Sequence, residues 1–538
     1  MFNVLRRKLK TTFGKNKDMK VSHERFDEGE SDHATERHLI TRSLAKNKKT
    51  MQEIFSNWGD IEFREFELGT APPVKLMIIY IKGLTSMPDV HVSILEKLML
   101  LEGLMEEVAS NGNLHLIKNK LLPIAEVIEQ NDFITITNQV LTGDVVLFID
   151  GEESALMIGV KGWSDRAVGE PPSEPTVRGP RDGFTENILV NVAHIRRRVR
   201  SSRLKLEKMN IGLLTKTDVV IMYLDGIVND SVVVEVRARL NKIKTDAILE
   251  SGYIEEFIQD EWLTPFPLIL STERPDRVAA HLLEGHVAVL VDTTPFALIM
   301  PTTFFHFLTA AEDYYTRAPI ATIIRLLRLV AINITLLLPS AYIAIATFHQ
   351  EMLPTQLLIS IAQAREGVPF PAFVEAFIME STFELLREAG VRLPRPVGQA
   401  VSIVGALVIG QAAVSAGLVS PAMVIVVALT AISSFAIPNY SGAIALRLMR
   451  FPLMVLAATL GLFGIMSGLM AMLIHLSSLR SFGVPYIAPI SPLIISDWKD
   501  FILRAPHWAM FTRPRLVGFK EPQRQEKGRV PKPPKGSK

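Results

Sequence analysis

PVGQAVSIVGALVIGQAAVSAGLVSPAMVIVVALTAISSFAIPNYSGAIAL, residues 396–446, carries no charged side chain. About 20 apolar residues cross a bilayer as a helix, so this block has room for two crossings. A water-soluble core helix of such length would show a polar face, and none is visible here. The sequence therefore reads as an integral membrane protein.

The block itself supplies spans at 399–418 and 420–437, joined by a tight turn at Ser420-Pro421. Further spans are expected at 329–347 and 452–476. The segment 354–390 is different, because its apolar runs are broken by Pro369, Pro371 and several Glu. Such a stretch fits a re-entrant or interfacial position better than a full crossing. An even number of crossings puts both basic ends, Arg6 to Lys10 and Arg513 to Lys538, on the cytoplasmic side. Arg447 and Arg450 would then fall in an outside loop, against the same rule.

The 538 residues carry a formal charge of only +2 and contain no cysteine. Disulfides, thiolate metal sites and cysteine nucleophiles are excluded together. The first residues lack an apolar signal-peptide core, so the N-terminal half is expected to stay in the cytoplasm. Residues 1–47 read as a polar disordered tail. Residues 481–538 read as a basic, Pro-rich tail, disordered or lying on an anionic membrane surface.

Between the first tail and the membrane part, the chain repeats itself. MIIYIKGL (77–84) matches VIMYLDGI (220–227), and IEFREFELG (61–69) matches LKLEKMNIG (204–212). GDVVLFIDGEESALMIG (143–159) matches GHVAVLVDTTPFALIMP (285–301), each with the pattern of a β-hairpin. Three matches in one order, at an offset of roughly 142 positions, imply two similar subdomains. The predicted fold is an α/β cytoplasmic region of two similar subdomains, 48–165 and 185–320, followed by an α-helical polytopic membrane domain, 321–480. The Pro- and Gly-rich stretch 166–184 is the connector.

Several motifs invite a chemical reading and lose it on inspection. Gly212-Leu-Leu-Thr-Lys-Thr217 has the end of a phosphate loop but bulky residues where glycines are required. His281 and His286 are five apart, so they do not share a helical face as an i, i+4 metal pair would. A solvated helix end is the plainer account. Arg196, Arg197, Arg198, Arg200 and Arg203 form a basic run without interleaved aromatics, a poor platform for nucleic acid and a better candidate for a face paired with acids. No catalytic constellation, cofactor site or metal site is read from the sequence.

Within the membrane part, small residues recur at helix-packing spacing: Ala406 with Gly410, Ala413 with Gly417, Gly464 with Gly468. Polar groups at depth are costly and more telling. Asn333 and Gln411 sit in spans, while Glu375, Glu380 and Glu384 sit in 354–390. The plainer reading is an interfacial helix whose acids face water. The functional one is a ring of carboxylates on a cation path formed by several chains.

Long strings of this chain resemble the A subunit of the GerA-type spore germinant receptor family. They are VRGPRDGFTENILVNVAHIRRRVRSSRLK (177–205), TKTDVVIMYLDGIVND (215–230), PFPLILSTERPDRVAAHLLEGHVAVLVDTTPF (265–296), AAEDYY (310–315) and residues 385–440. The resemblance implies a multi-pass protein of the spore inner membrane with a cytoplasmic N-terminal domain. It implies partners, a transporter-like B subunit and a lipoprotein C subunit, and a homo-oligomer that turns nutrient sensing into ion release. A stand-alone secondary transporter, a non-conducting scaffold subunit and a membrane-bound enzyme are the competing readings. The first of these usually repeats its membrane halves, whereas here the repeat lies ahead of the membrane part.

Overall fold

The computed structural model describes residues 39–68, 73–100, 127–162, 169–393, 408, 410–517 and 520–526. Residues 1–38, Ala406 and half of the span expected at 399–418 lie outside them.

Helix α1 (Leu44–Ile54) leads into strands β1 (Ile61–Leu68) and β2 (Val74–Ile81) and a helical stretch, 87–100. Then come β3 (Val127–Gln130), α2 (Phe133–Leu141), β4 (Val145–Ile149) and β5 (Ala155–Ile158). The strands form one antiparallel sheet in the order β1-β2-β4-β5-β3. VVLFI and ALMI are buried at every position, because helices cover both faces of the sheet. The apolar residues of β1 change side at Arg64-Glu65: Ile61 and Phe63 join the cluster on one face of the sheet, Phe66 and Leu68 that on the other.

The same order returns in the second half. α3 (Ile188–Arg198), β6 (Leu204–Ile211), β7 (Thr217–Leu224), α4 (Asp230–Lys242), α5 (Ser251–Ile258), β8 (Leu270–Thr272), α6 (Pro275–Glu284), β9 (Val287–Val291) and β10 (Ala297–Met300) follow one another. Their sheet runs β6-β7-β9-β10-β8 and is again antiparallel throughout.

The likeness reaches individual hydrogen bonds. Asn47 in α1 accepts from the Thr41 amide at 2.9 Å and donates to its carbonyl at 2.6 Å. Asn191 in α3 does the same to Thr185, at 2.7 and 2.6 Å. The first amide of each helix is taken by a hairpin aspartate, Leu44 by Asp150 and Ile188 by Asp292. The first unit thus starts before Thr41, inside the stretch assigned from sequence to the tail.

In the second unit Glu250 caps α5, and Glu255 lies close to it. Burial first, and the Glu250 charge second, push the Glu255 carboxyl up from 4.5 to about 7. Between those two values the folded chain keeps a proton that the unfolded chain has lost. Stability on this account is full below the lower value and falls as pH rises to the upper one. Glu255→Gln should raise stability by about 1–2 kcal/mol near pH 8 and by nothing near pH 4, read as the pH dependence of thermal unfolding.

Five labelled helices follow: α7 (Ala318–Thr347), α8 (Thr355–Arg365), α9 (Ala372–Arg392), α10 (Pro421–Ser434) and α11 (Tyr440–Ser478). Among the described residues only α7, with 30 residues, and α11, with 39, are long and apolar enough to cross a membrane. α10 has 14 residues, so it is about 21 Å long against a bilayer core of about 30 Å. Expected span 420–437 therefore does not cross as a helix by itself. The segment 354–390 folds as two helices, α8 and α9, split at the prolines. Arg447 and Arg450 lie within α11 and are buried, not in a loop. α11 itself bends at Gly461, whose φ is +63°. There His349 at the end of α7 accepts the Leu462 amide at 3.3 Å, filling a gap in the helical ladder.

The chain beyond α11 turns back onto the second unit. Ser481 donates to the Leu268 carbonyl and Tyr486 to that of Pro267, each at 2.7 Å. Arg513 donates to the Leu283 carbonyl at 2.8 Å, and Arg524 pairs with Glu284 at 3.1 Å. The described part of the basic tail is thus held by acids and carbonyls of the second unit. One apolar core runs from that unit through Phe307 and Tyr486 to Ile332 of α7 and Leu446 and Leu476 of α11. Asp313 fastens the same junction, pairing with Arg325 at 3.2 Å and Arg328 at 2.6 Å.

Candidate functional site

Glu380 and Glu384 are four apart on α9, and Arg387 follows three residues later, so all three share one face. Arg447 and Arg450, three apart, form the matching stripe on α11. The two stripes meet. Arg450 lies 2.9 Å from Glu380 and 3.4 Å from Glu384, and Arg447 lies 3.1 Å from Glu384. Arg387 donates to Ser434 of α10 at 2.7 Å and stacks on Phe435. Glu380 and Arg450 are almost fully buried, and Glu384 is about one-third exposed.

The cluster holds two carboxylates and three guanidiniums, a surplus of one positive charge. It is also incompletely bonded. Nε of Arg387, Arg447 and Arg450 is buried without a hydrogen-bond partner, and neither Glu380 oxygen receives a well-directed one. Such groups are expensive in a low-dielectric interior. They favour any rearrangement, or any added acceptor, that completes them.

Glu375 serves another contact. One of its oxygens accepts from the Ser420 amide and hydroxyl at 2.9 and 2.8 Å, and Arg365 of α8 sits 3.4 Å from the other. It therefore ties α8 and α9 to the start of α10. Within this chain Glu375 and Glu380 face neither open water nor an empty axis, since arginines meet both. Sequence periodicity grouped Glu380 with Glu384, while the count of spans placed Arg447 and Arg450 in an outside loop.

The remaining candidates are scattered. Asn333 is exposed on α7 and donates to its own helix at the Leu329 carbonyl. Gln411 is exposed in the short helix Gly410–Ser415. Ala413 lies in that helix, but Gly417 lies past its end with φ +65° and turns the chain. A Cβ on Gly410 would meet Val424 at an ordinary 3.9 Å. At Gly464 it would come within 2.1 Å of the Leu456 carbonyl, and at Gly468 within 2.5 Å of Leu453. Those two glycines are demanded by the bend of α11 on itself, rather than by a neighbouring helix.

Outside the helices, His281, His286 and His306 come together. Gly285 ends α6 in the left-handed conformation, φ 98°, and the chain doubles back. The His286 amide and Nδ1 both donate to the His281 carbonyl, each at 3.1 Å. The reading of a solvated helix end is corrected: His286 is wholly buried. The spacing argument held only inside a helix, and the glycine turn removes its premise. Burial drives the His286 imidazole down to about 4 and the other two well below their usual value. A cavity of about 270 Å³ adjoins His281 and His306, and Glu284, Asp500 and Tyr314 also line it.

The phosphate-loop fragment Gly212–Thr217 is the turn between β6 and β7. Its Leu213 and Leu214 amides donate to the Thr245 and Asp246 carbonyls, which leaves no cradle for an anion. Arg196 and Arg198 of the basic run pair with Asp60 and Asp182.

Two sheets of one topology joined to two helices long and apolar enough to cross a membrane, with ion pairs buried where α9 packs against one of them, define a membrane protein with a large α/β head. Residues 49–516 match the Bacillus/Clostridium GerA spore germination protein family, and the chain belongs to it. It is 48% identical over 496 residues to spore germination protein KA of Bacillus subtilis, covering 92% of this chain and 90% of that one. It is 44% identical over 493 residues to the uncharacterized membrane protein YfkQ of the same organism, covering 92% and 95%. Among solved structures, it is 36% identical to the N-terminal domain of the A subunit of the Bacillus megaterium spore germinant receptor GerK3. That match covers 49% of this chain and 96% of that one, with a TM-score of 0.39.

Proposed function

We propose that this chain is the A subunit of a nutrient germinant receptor in the spore inner membrane, its two sheet units on the cytoplasmic side. It oligomerises, works with a transporter-like B subunit and a lipoprotein C subunit, and converts nutrient binding on a partner into ion release through a channel. The observation that carries this reading is the under-bonded cluster of Glu380, Glu384, Arg387, Arg447 and Arg450 between α9, α10 and α11.

Glu384 already lies within reach of three arginines, at 3.1, 3.4 and 3.8 Å. A small rotation of α9 against α11 exchanges these partners without stranding a charge. Such a cluster can hold two helix packings close in energy, and a partner that binds one of them better shifts the balance. The bend at Gly461 gives α11 a place to flex.

The test is reconstitution of the three subunits in liposomes loaded with potassium, with amino acids, sugars and nucleosides added in turn. Nutrient-dependent efflux is expected, and Glu384→Gln should change its nutrient threshold. Assembled complex that binds nutrient yet never passes ions removes the channel and leaves the scaffold reading. Solute uptake by this chain alone would instead favour a transporter.

A further inference from the structure

We infer that His281, His286 and His306 form a binding site for one transition-metal ion of the zinc type, its open position facing the adjoining cavity. One ring nitrogen from each residue lies within 4.8 Å of the other two. The three rings pack mutually edge to face, with centroids 4.7, 5.0 and 5.2 Å apart. They come from three places in the chain: helix α6, its exit turn, and the 3-10 turn Phe304–Phe307. Three imidazoles brought together from separate elements are not the by-product of one helical repeat.

The bonding of the rings adds a second observation. His281 Nδ1 and His286 Nε2 are buried and have no hydrogen-bond partner. Native interiors hold few such atoms, and a ligand is one way to satisfy them. His286 donates through Nδ1 to the His281 carbonyl, which fixes its tautomer and leaves Nε2 bare. That is how a ligating histidine is oriented by its outer contact. His306 carries the cost. Its Nδ1 accepts the Thr303 amide at 3.2 Å, and ligation through Nε2 would move its proton to Nδ1 and give up that bond.

The donor set selects the metal. Three neutral nitrogens suit zinc, cobalt, nickel or copper, whereas magnesium and calcium prefer oxygens. Tetrahedral zinc holds its nitrogens about 3.3 Å apart, so the ring nitrogens must close in by up to about 1.5 Å. Water from the cavity can take the fourth position, since Glu284 is engaged by Arg524 at 3.1 Å. The nearby guanidinium of Arg277 is engaged elsewhere, with Glu174 at 2.6 Å and the His306 carbonyl at 2.8 Å. A bound ion would brace α6 against the turn at 304–307, next to the Asp313 junction that leads into α7. The inference rests on the histidines alone and is independent of the channel reading.

The experiment uses full-length protein in detergent, stripped with a chelator and then titrated separately with Zn²⁺ and Co²⁺. Expected are uptake of one equivalent per chain, a visible Co²⁺ absorption of a nitrogen-ligated low-symmetry site, and a zinc-dependent rise in unfolding temperature. His286→Asn and His306→Gln should each weaken binding at least about tenfold. If one variant fails to fold, the other, read against the cobalt spectrum of the wild-type chain, decides the matter. No uptake by wild type would make the three rings a packing cluster only. Equal uptake by wild type and folded variants would place the metal elsewhere, and either result overturns the inference.

Discussion

Arg450→Ala is expected to strip this protein from the membrane fraction of cells that make it. The substitution leaves Glu380 buried with its one close countercharge gone. Breaking a buried pair from one side costs about 3–5 kcal/mol, a large share of the roughly 5–15 kcal/mol that stabilises an ordinary domain. Glu384 can follow Arg447, 3.1 Å away, but Glu380 has no such alternative among its ion pairs. Replacing both members, as Arg450→Met with Glu380→Leu, should restore accumulation, because no charge is then stranded. The same double variant should not restore full nutrient-dependent ion release, since Glu384 then loses Arg450, one of the three arginines between which it exchanges. Protein levels, detergent-phase melting and efflux separate the outcomes. Normal accumulation of Arg450→Ala would show that the pair contributes little. Full response from the double variant would reduce the cluster to a staple and remove the main support for the proposed mechanism.

The duplication was legible because each half marks its turns with glycines at matching positions, at Gly83 and Gly226 and again at Gly143 and Gly285. Its true start was not, because the repeated signal there is two residues, Thr41 with Asn47 and Thr185 with Asn191, in otherwise unlike helices. The hydrogen bonds they make are the conserved content of that pair within this chain. The charge cluster was half legible. Helical periodicity grouped Glu380 with Glu384, but Arg450 is 70 positions from Glu380, and a single sequence holds no trace of that contact. The count of spans then put Arg447 and Arg450 in an outside loop, against the charge rule, because they interrupt two apolar runs. The histidines failed for a different reason. Face-sharing rules stop at the end of a helix, and Gly285 is that end.

Arg196→Ala should part the two sheet units. Arg196 closes α3 and is buried, and its Nη2 lies 2.7 Å from Asp60 while Nε bonds the other Asp60 oxygen. Nη1 donates to the Leu204 carbonyl at 3.2 Å, and the guanidinium carbon sits 3.4 Å from the centre of the Trp58 ring. Around it, Gly59 and Leu206 exchange backbone hydrogen bonds across the units with Leu206 and Asn57, each at 3.0 Å. Trp58 donates to the Ser202 carbonyl at 3.0 Å. Alanine would leave Asp60 charged, buried and unpaired, a loss of about 3–5 kcal/mol. Lysine should recover little, because it cannot make the two-pronged contact or lie flat on the indole. Asp60→Ala should cost a similar amount, and the paired change Arg196→Met with Asp60→Leu should recover most of it. Limited proteolysis of the full-length protein in detergent reads the effect as faster cutting between residues 56 and 60. Unchanged cutting and melting in Arg196→Ala would mean that the backbone bonds alone hold the units together. The basic run would then owe its sequence to Asp182 and Glu521, the acids that Arg198 and Arg203 engage.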